Sequence, residues 1–317
     1  MKRPLILLLS NAVDPQLAML AGVPHVLADS PAALTEAANQ AEVILHWAGS
    51  RDLLRSAFLA SPRVRWVHSR SAGLDKILFP ELLQSAVPLT NGRGVFSQSL
   101  GEFALAAILY FAKDFRRMIR NQQAGRWEQF LVEEIAGQTV GIVGYGDIGR
   151  AVAGRAHAMG MQVLALKRHA PASPDPLVAT FYPPRELSAM LALCDYVVIA
   201  APLTPETRHL IGDAAFAAMK PNAVVINVGR GPVIDQAALV RALGEGKIKG
   251  AALDVFEQEP IPPGDPIYKL ENVLISPHCA DQTRDWLDQA MRFFLLQYER
   301  FCKGQPLENI VEKHLGY

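Results

Sequence analysis

The chain has 317 residues, half of them hydrophobic and a fifth charged, and its 31 basic and 31 acidic side chains give a formal net charge of zero. That length suits two packed domains, and the lack of any Lys/Arg run excludes a basic face for nucleic acid. No apolar stretch approaches the ~20 residues that span a bilayer, and three cysteines without paired spacing (Cys194, Cys279, Cys302) exclude a disulfide framework and point to the reducing cytoplasm.

The start, Met1-Lys2-Arg3-Pro4 followed by Leu5–Leu9, has the outline of a short signal peptide. Its apolar run is too short and Asn11, Asp14 and Pro15 follow at once, so it reads as a buried first strand. Val43–Trp47 and Val64–His68 are the next expected strands; Trp47, at a strand end, either walls a pocket or belongs to the core. Phe103–Phe111 reads as a long apolar helix with Gly101 and Glu102 at its start. From Phe103 to Trp127 the chain carries more apolar surface than a linker needs, which is buried either within one subunit or against a second.

Five later strands are expected at Thr139–Val143, Val163–Leu166, Tyr196–Ala200, Ala223–Val228 and Val273–Ser276, with helices such as Gly149–Met159 and Ala237–Glu245 between them. This βαβ alternation predicts parallel sheets covered by helices. Trp286–Phe301 reads as a final amphipathic helix, broken by Gly304-Gln305-Pro306. The tail returning to the start would make the first domain discontinuous, with residues 1–100 and 285–317 in one domain and 101–284 in the other.

Strand Thr139–Val143 leads into Gly144-Tyr145-Gly146-Asp147-Ile148-Gly149, a G-x-G-x-x-G turn between a strand and a helix. Gly144 permits the tight turn, Gly146 lets backbone approach a pyrophosphate, and Gly149 lets the helix pack close; the helix N-terminus faces the phosphates. Dinucleotide binding is the expectation. After the second strand an NAD site offers an acid for the ribose 2′-OH. Here Lys167-Arg168-His169 stand there and no acid appears until Asp175. A pair of cations attracts a 2′-phosphate, so NADP(H) is expected over NAD(H); the alternative is a solvated strand end.

Three more segments place a reactive side chain after a strand: Gly229-Arg230-Gly231, Asp254-Val-Phe-Glu257-Gln-Glu259-Pro260, and Pro277-His278. With Ser71-Ala72-Gly73-Leu-Asp75, the Glu102 helix, the glycine turn, Cys194-Asp195 and Pro202-Leu-Thr204, their order resembles the D-isomer-specific 2-hydroxyacid dehydrogenases over nearly the whole chain. That resemblance implies an α/β protein of two Rossmann-like, flavodoxin-like domains with the active site in the interdomain cleft. It implies His278 as acid/base, Glu259 as its partner, and Arg230 as the group that binds the substrate carboxylate and polarises the carbonyl. Backbone near Ala72 and Gly73 would hold the other side of the carboxylate. Pro202, Val228, Gly229 and Asp254 would join Gly144, Gly146, Asp147, Ile148, Gly149, Lys167 and Arg168 around the cofactor, and the Phe103–Trp127 region would form a homodimer.

The chemistry agrees with these roles. Reducing a 2-oxo acid sends hydride to the carbonyl carbon and a proton to its oxygen. A histidine beside a carboxylate donates that proton, and a guanidinium fork holds a carboxylate while stabilising the developing alkoxide. The seven other histidines lack metal-ligand spacing, so no metal is expected. After His278, Cys279-Ala280-Asp281-Gln282 departs from the small-residue pattern of relatives; Cys279 reads as a packing residue, and Asp281 and Gln282 add polar groups near the nicotinamide side.

Glyoxylate and hydroxypyruvate are the expected substrates, with phosphoglycerate-type and larger aryl 2-oxo acids as alternatives. A dinucleotide-sensing corepressor of the same fold is the non-catalytic alternative, and the short end after the last helix favours the enzyme. Glu259 argues against formate dehydrogenase, and the late position of Gly144 argues against L-specific lactate or malate dehydrogenases.

Overall fold

In a computed structural model the first strand, β1 (Ile6–Leu9), is buried on both faces, as four consecutive large aliphatics demand. Residues 3–34, 36–169 and 171–316 are described, with nothing stated of the Ala37 side chain. The chain divides into one unit of Met1–Phe96 with Thr283–Tyr317 and a second of Ser97–Gln282.

In the first unit, β2 (His25–Ala28), β3 (Val43–His46), β4 (Trp66–Ser69) and β5 (Leu89–Asn91) join β1 in a parallel sheet ordered β2-β1-β3-β4-β5. Alternation along β1 sends Leu7 and Leu9 to one face, where they pack with Leu53, Leu54 and Ala57 of helix α1 (Arg51–Leu59) and Leu82 of α2 (Pro80–Gln84). Ile6 and Leu8 point to the other face, covered by Ala290, Met291, Phe294 and Tyr298 of the last helix, Trp286–Cys302. That helix is pinned by the Tyr298 hydroxyl, which donates to the Pro4 carbonyl at 2.6 Å. The tail then adds a backbone bond from Val311 to Leu89 at 2.8 Å.

The second unit opens with α3 (Ser97–Ala112) and α4 (Phe115–Gln123). Seven parallel strands follow: β6 (Thr139–Val143), β7 (Gln162–Leu166), β8 (Thr180–Tyr182), β9 (Tyr196–Ile199), β10 (Val224–Asn227), β11 (Gly250–Leu253) and β12 (Val273–Ile275). Their order is β12-β11-β10-β9-β6-β7-β8, so strand order reverses between β6 and β9. Helices α5 (Asp147–Ala158), α6 (Leu187–Leu191), α7 (Asp213–Ala218) and α8 (Gln236–Gly244) connect them. One face carries Val143, Leu166, Val197, Ile199, Val225 and Leu253 packed with residues of α6, α7 and α8, and α3 packs against α5 and β10 near the other.

One expectation is corrected here. The apolar helix begins at Ser97, so Gly101 lies inside it rather than at its start. A Cβ on Gly101 would sit 3.1 Å from the Ala151 carbonyl carbon, so its bareness serves the close crossing of α3 over α5.

Candidate active site

Because the strands of the second sheet are all parallel, the loops after them emerge at one edge. Arg230 follows β10, Glu259 follows β11 and His278 follows β12, and these three strands are neighbours. Topology thus gathers residues that lie nearly fifty positions apart.

His278 Nδ1 lies 3.0 Å from Glu259 Oε2. The other oxygen of that carboxylate accepts the Phe256 N–H at 3.0 Å, which fixes its orientation. Nδ1 therefore carries the shared proton, and Nε2 is the nitrogen left for a reacting oxygen. The imidazole side chain is 40% exposed, so that edge is open to a small molecule.

His278 has φ +52°, a left-handed conformation that costs energy for a residue with a side chain and needs support from its surroundings. Asp254 supplies it. Its carboxylate is 1% exposed, and Oδ1 accepts from Ser276 Oγ at 2.5 Å, Cys279 N–H at 2.9 Å and Ala280 N–H at 3.1 Å. Ser99 Oγ donates to the Ala280 carbonyl at 2.6 Å, and Gln282 Nε2 to the His278 carbonyl at 3.1 Å. The turn is held from both sides. Ser99 and Ser276 carry no signal in sequence beyond lying beside motif residues.

The loop carrying Arg230 is folded by Asn227, fully buried, which accepts from Gly229 N–H at 3.0 Å and donates to the Arg230 carbonyl at 3.1 Å. Arg230 Nη1 donates back to the Gly229 carbonyl at 2.9 Å. Asp281 reports on the neighbourhood: burial raises its carboxyl above the usual range and Asp254 adds to this, while the charges of His278 and Arg230 act the other way. Both side chains therefore lie within electrostatic reach of one carboxyl group. Cys279 is exposed, which corrects its reading as a packing residue; its backbone N–H donates to Asp254, and its thiol lies 3.5 Å from Ser276 Oγ.

At the reversal between β6 and β9, Gly144 has φ +95° and a Cβ there would fall 2.6 Å from Ala201 Cα. Gly149 packs so that a Cβ would meet the Gly144 carbonyl oxygen at 2.3 Å, whereas Gly146 faces open space. Gly146 also caps α5 with no side chain on the helix N-terminal N–H groups. This cradle fits a dinucleotide pyrophosphate. Asp147 is exposed and Ile148 half-buried at the start of α5; Pro202 is exposed after β9, while Val228 and Gly229 are buried after β10.

Lys167 extends over the Tyr145 ring, with Nζ 5.8 Å from its centroid, and Arg168 is exposed with Nη2 3.7 Å from Glu206 Oε2. Asp175 folds back to this end of the sheet, where it accepts from Tyr145 Oη and Arg150 Nη1, both at 2.9 Å. Its distance in sequence from β7 hid that return. In the first unit Ala72 and Gly73 follow β4 half-buried, and Asn91 Nδ2 donates to the Ala72 carbonyl at 2.7 Å. Trp47 is core, 1% exposed.

Residues 105–280 match the family described as D-isomer specific 2-hydroxyacid dehydrogenase, NAD binding domain. The chain is 36% identical over 264 residues to a glyoxylate reductase of Korarchaeum cryptofilum, covering 81% of this chain and 79% of that protein. Among solved structures it is similar to a D-isomer specific 2-hydroxyacid dehydrogenase from Xanthobacter autotrophicus Py2 in complex with NADPH and MES, at 30% identity, TM-score 0.84 and full coverage of both chains (100%). It is also similar to an NADPH-dependent glyoxylate/hydroxypyruvate reductase from Sinorhizobium meliloti in complex with NADP and sulfate, at 28% identity, TM-score 0.83 and 100% coverage of each.

Proposed function

This chain belongs to the D-isomer specific 2-hydroxyacid dehydrogenase family, and from that premise we propose that Arg230, Glu259 and His278 carry out its reaction on a small 2-oxo acid. The enzyme is an NAD(P)-dependent 2-oxo acid reductase of the glyoxylate/hydroxypyruvate reductase kind. The observation that carries the assignment of roles is the 3.0 Å bond between His278 Nδ1 and Glu259 Oε2, because it orients the imidazole and leaves Nε2 for the reacting oxygen.

The nicotinamide, when bound, supplies the hydride for the carbonyl carbon. Gly144, Gly146 and Gly149 hold the dinucleotide, with Asp147, Ile148, Pro202, Val228, Gly229 and Asp254 around it. Arg230 holds the substrate carboxylate and stabilises negative charge growing on the carbonyl oxygen. His278 Nε2 delivers a proton to that oxygen, giving the D-2-hydroxy acid, and recovers one in the reverse direction. Backbone at Ala72 and Gly73 assists with the substrate carboxylate.

Lys167 and Arg168 favour NADP(H), since Asp175, the nearby acid, is already engaged by Tyr145 and Arg150. Arg168 exchanges its long contact to Glu206 for the 2′-phosphate. Exposed Phe115, Met118, Ile119 and Trp127 support a homodimer. Light scattering at micromolar concentration is expected to give twice the chain mass. Three free cysteines support the cytoplasm as its compartment, and no described helix is long and apolar enough to cross a membrane.

The experiment is an absorbance assay of NADPH and NADH oxidation with glyoxylate, hydroxypyruvate, 3-phosphohydroxypyruvate and aryl 2-oxo acids. Turnover of the two small acids with higher kcat/KM for NADPH is expected. A tenfold preference for NADH removes the cofactor reading, and activity confined to the phosphorylated or aryl acids removes the substrate reading.

A further inference from the structure

The carboxyl edge of the first sheet carries a second arrangement, built around a cation. Strand order there reverses between β1 and β3, with β2-β1 on one side and β3-β4-β5 on the other. Open α/β sheets take ligands outside the strand ends at such a point. Asp14, in the loop after β1, accepts the Trp47 indole N–H at 2.5 Å and the Gln16 N–H at 3.0 Å. Trp47 directly follows β3, so this bond bridges the reversal.

Arg70 directly follows β4. Its guanidinium carbon lies 5.1 Å from the Trp47 ring centroid and 5.1 Å from that of Trp286. Trp286 in turn packs on Phe96, ring centroids 5.9 Å apart. The guanidinium is therefore gripped by two indoles, one of them tied to Asp14 and the other backed by Phe96. Among the described residues it takes no hydrogen bond or ion pair. Burial lowers its pKa from the ordinary value while Asp14 acts in the opposite sense, so the group has lost part of its water.

A guanidinium stacked on two rings, with its N–H edges uncommitted and its hydration reduced, is preorganised for an oxyanion that offers two oxygens to the fork. A guanidinium fork matches carboxylate and phosphate geometry, and the stacking has already spent the side-chain freedom that binding would otherwise cost. We propose that Arg70 anchors an oxyanion site at the carboxyl edge of the first sheet, taking the carboxylate or phosphate of a small-molecule ligand. Nothing in this depends on the roles given to Arg230, Glu259 and His278.

The test uses the full chain with Trp127→Phe, which removes the exposed indole of the second unit and leaves Trp47 and Trp286 to report over the constant background of fully buried Trp66. Tryptophan emission is followed while sodium malonate or sodium phosphate is added at constant ionic strength, with chloride as the control salt. A saturable change that chloride does not produce is expected, with its midpoint raised about tenfold or more in Arg70→Met. A response to malonate alone, phosphate alone or both supports the site and identifies its oxyanion. No saturable response to either, or equal midpoints with and without the Arg70→Met change, overturns it. Should Arg70→Met lose its fold by circular dichroism, Arg70→Lys replaces it: a point charge without the fork is expected to bind several-fold more weakly, and an unchanged midpoint overturns the proposal. Glyoxylate turnover of the same preparation reports separately on the reductase reading.

Discussion

Gly231 and Phe256 meet backbone to backbone: a Cβ built on Gly231 would lie 1.9 Å from the Phe256 carbonyl carbon. That contact locks the loop of Arg230 onto the loop of Glu259, because Phe256 N–H holds the Glu259 carboxylate at 3.0 Å. Alanine at 231 cannot fit without parting the two loops. Gly231→Ala is expected to cost roughly 2–3 kcal/mol in urea unfolding and about 10²-fold in kcat/KM, since a shift near 1 Å in a reacting group has that effect. Wild-type kinetics in this variant would show that the loops tolerate separation.

Removing chemistry instead of spacing gives a different signature. His278→Gln and Arg230→Ala are each expected to lower turnover by ~10²–10⁴-fold while circular dichroism and urea midpoints stay close to wild type. Glu259→Gln retains an acceptor for Nδ1 but loses the charge, and a smaller loss, about 10–100-fold, is expected in kcat/KM. Near-normal turnover in His278→Gln at matched protein concentration would remove histidine from the proton step.

Asp254 carries the His278 turn on one oxygen with three donors. Asp254→Ala strands two part-buried N–H groups and a buried hydroxyl, and a loss of about 2–4 kcal/mol is expected, together with lost turnover. Asp254→Asn retains an acceptor oxygen and is expected to recover more than half of that stability. Equal destabilisation in the two variants would mean that the charge, not the three hydrogen bonds, matters.

Stability should also depend on pH through a residue far from catalysis. His68 is 1% exposed on β4, bonded through Nδ1 to Thr90 Oγ1 at 2.7 Å, and burial pushes its pKa from 6.5 down to about 3. The unfolded chain binds this proton near pH 6.5 and the folded chain only near pH 3, so between those values stability falls as pH falls. The slope from this one site is about 1.4 kcal/mol per pH unit. Urea midpoints at pH 6.5, 5.5 and 4.5 should therefore change less steeply in His68→Leu than in wild type; parallel lines would assign the proton elsewhere.

The elements readable in the sequence were those whose side chains are large and whose burial is complete, such as Thr139–Val143, matched to the residue, and the final amphipathic helix from Trp286. Edge strands escaped. His25–Ala28 is half-exposed and Thr180–Tyr182 has three residues, so neither shows an apolar run. Gly250–Leu253 was visible only as the lead-in to Asp254, because Phe111 packs where a Cβ on Gly250 would lie, 2.4 Å away, and small residues are required there. At the site, strand-end motifs announced Arg230, Glu259 and His278, whereas Ser99, Ser276 and the return of Asp175 are relations between distant residues that no local pattern contains.

The first unit is assembled from both ends of the chain, its last helix closing over Ile6 and Leu8. During synthesis on the ribosome, everything required by the second unit emerges before that helix exists. Strand β1, made before the other strands described, must wait with one aliphatic face uncovered until Trp286–Cys302 has been made. The second unit can thus be complete while the first still lacks the helix that covers it. A premature stop codon just before Trp286 would leave a sound second unit joined to a half-built first one, a species for chaperones and proteases to recognise by its bare sheet.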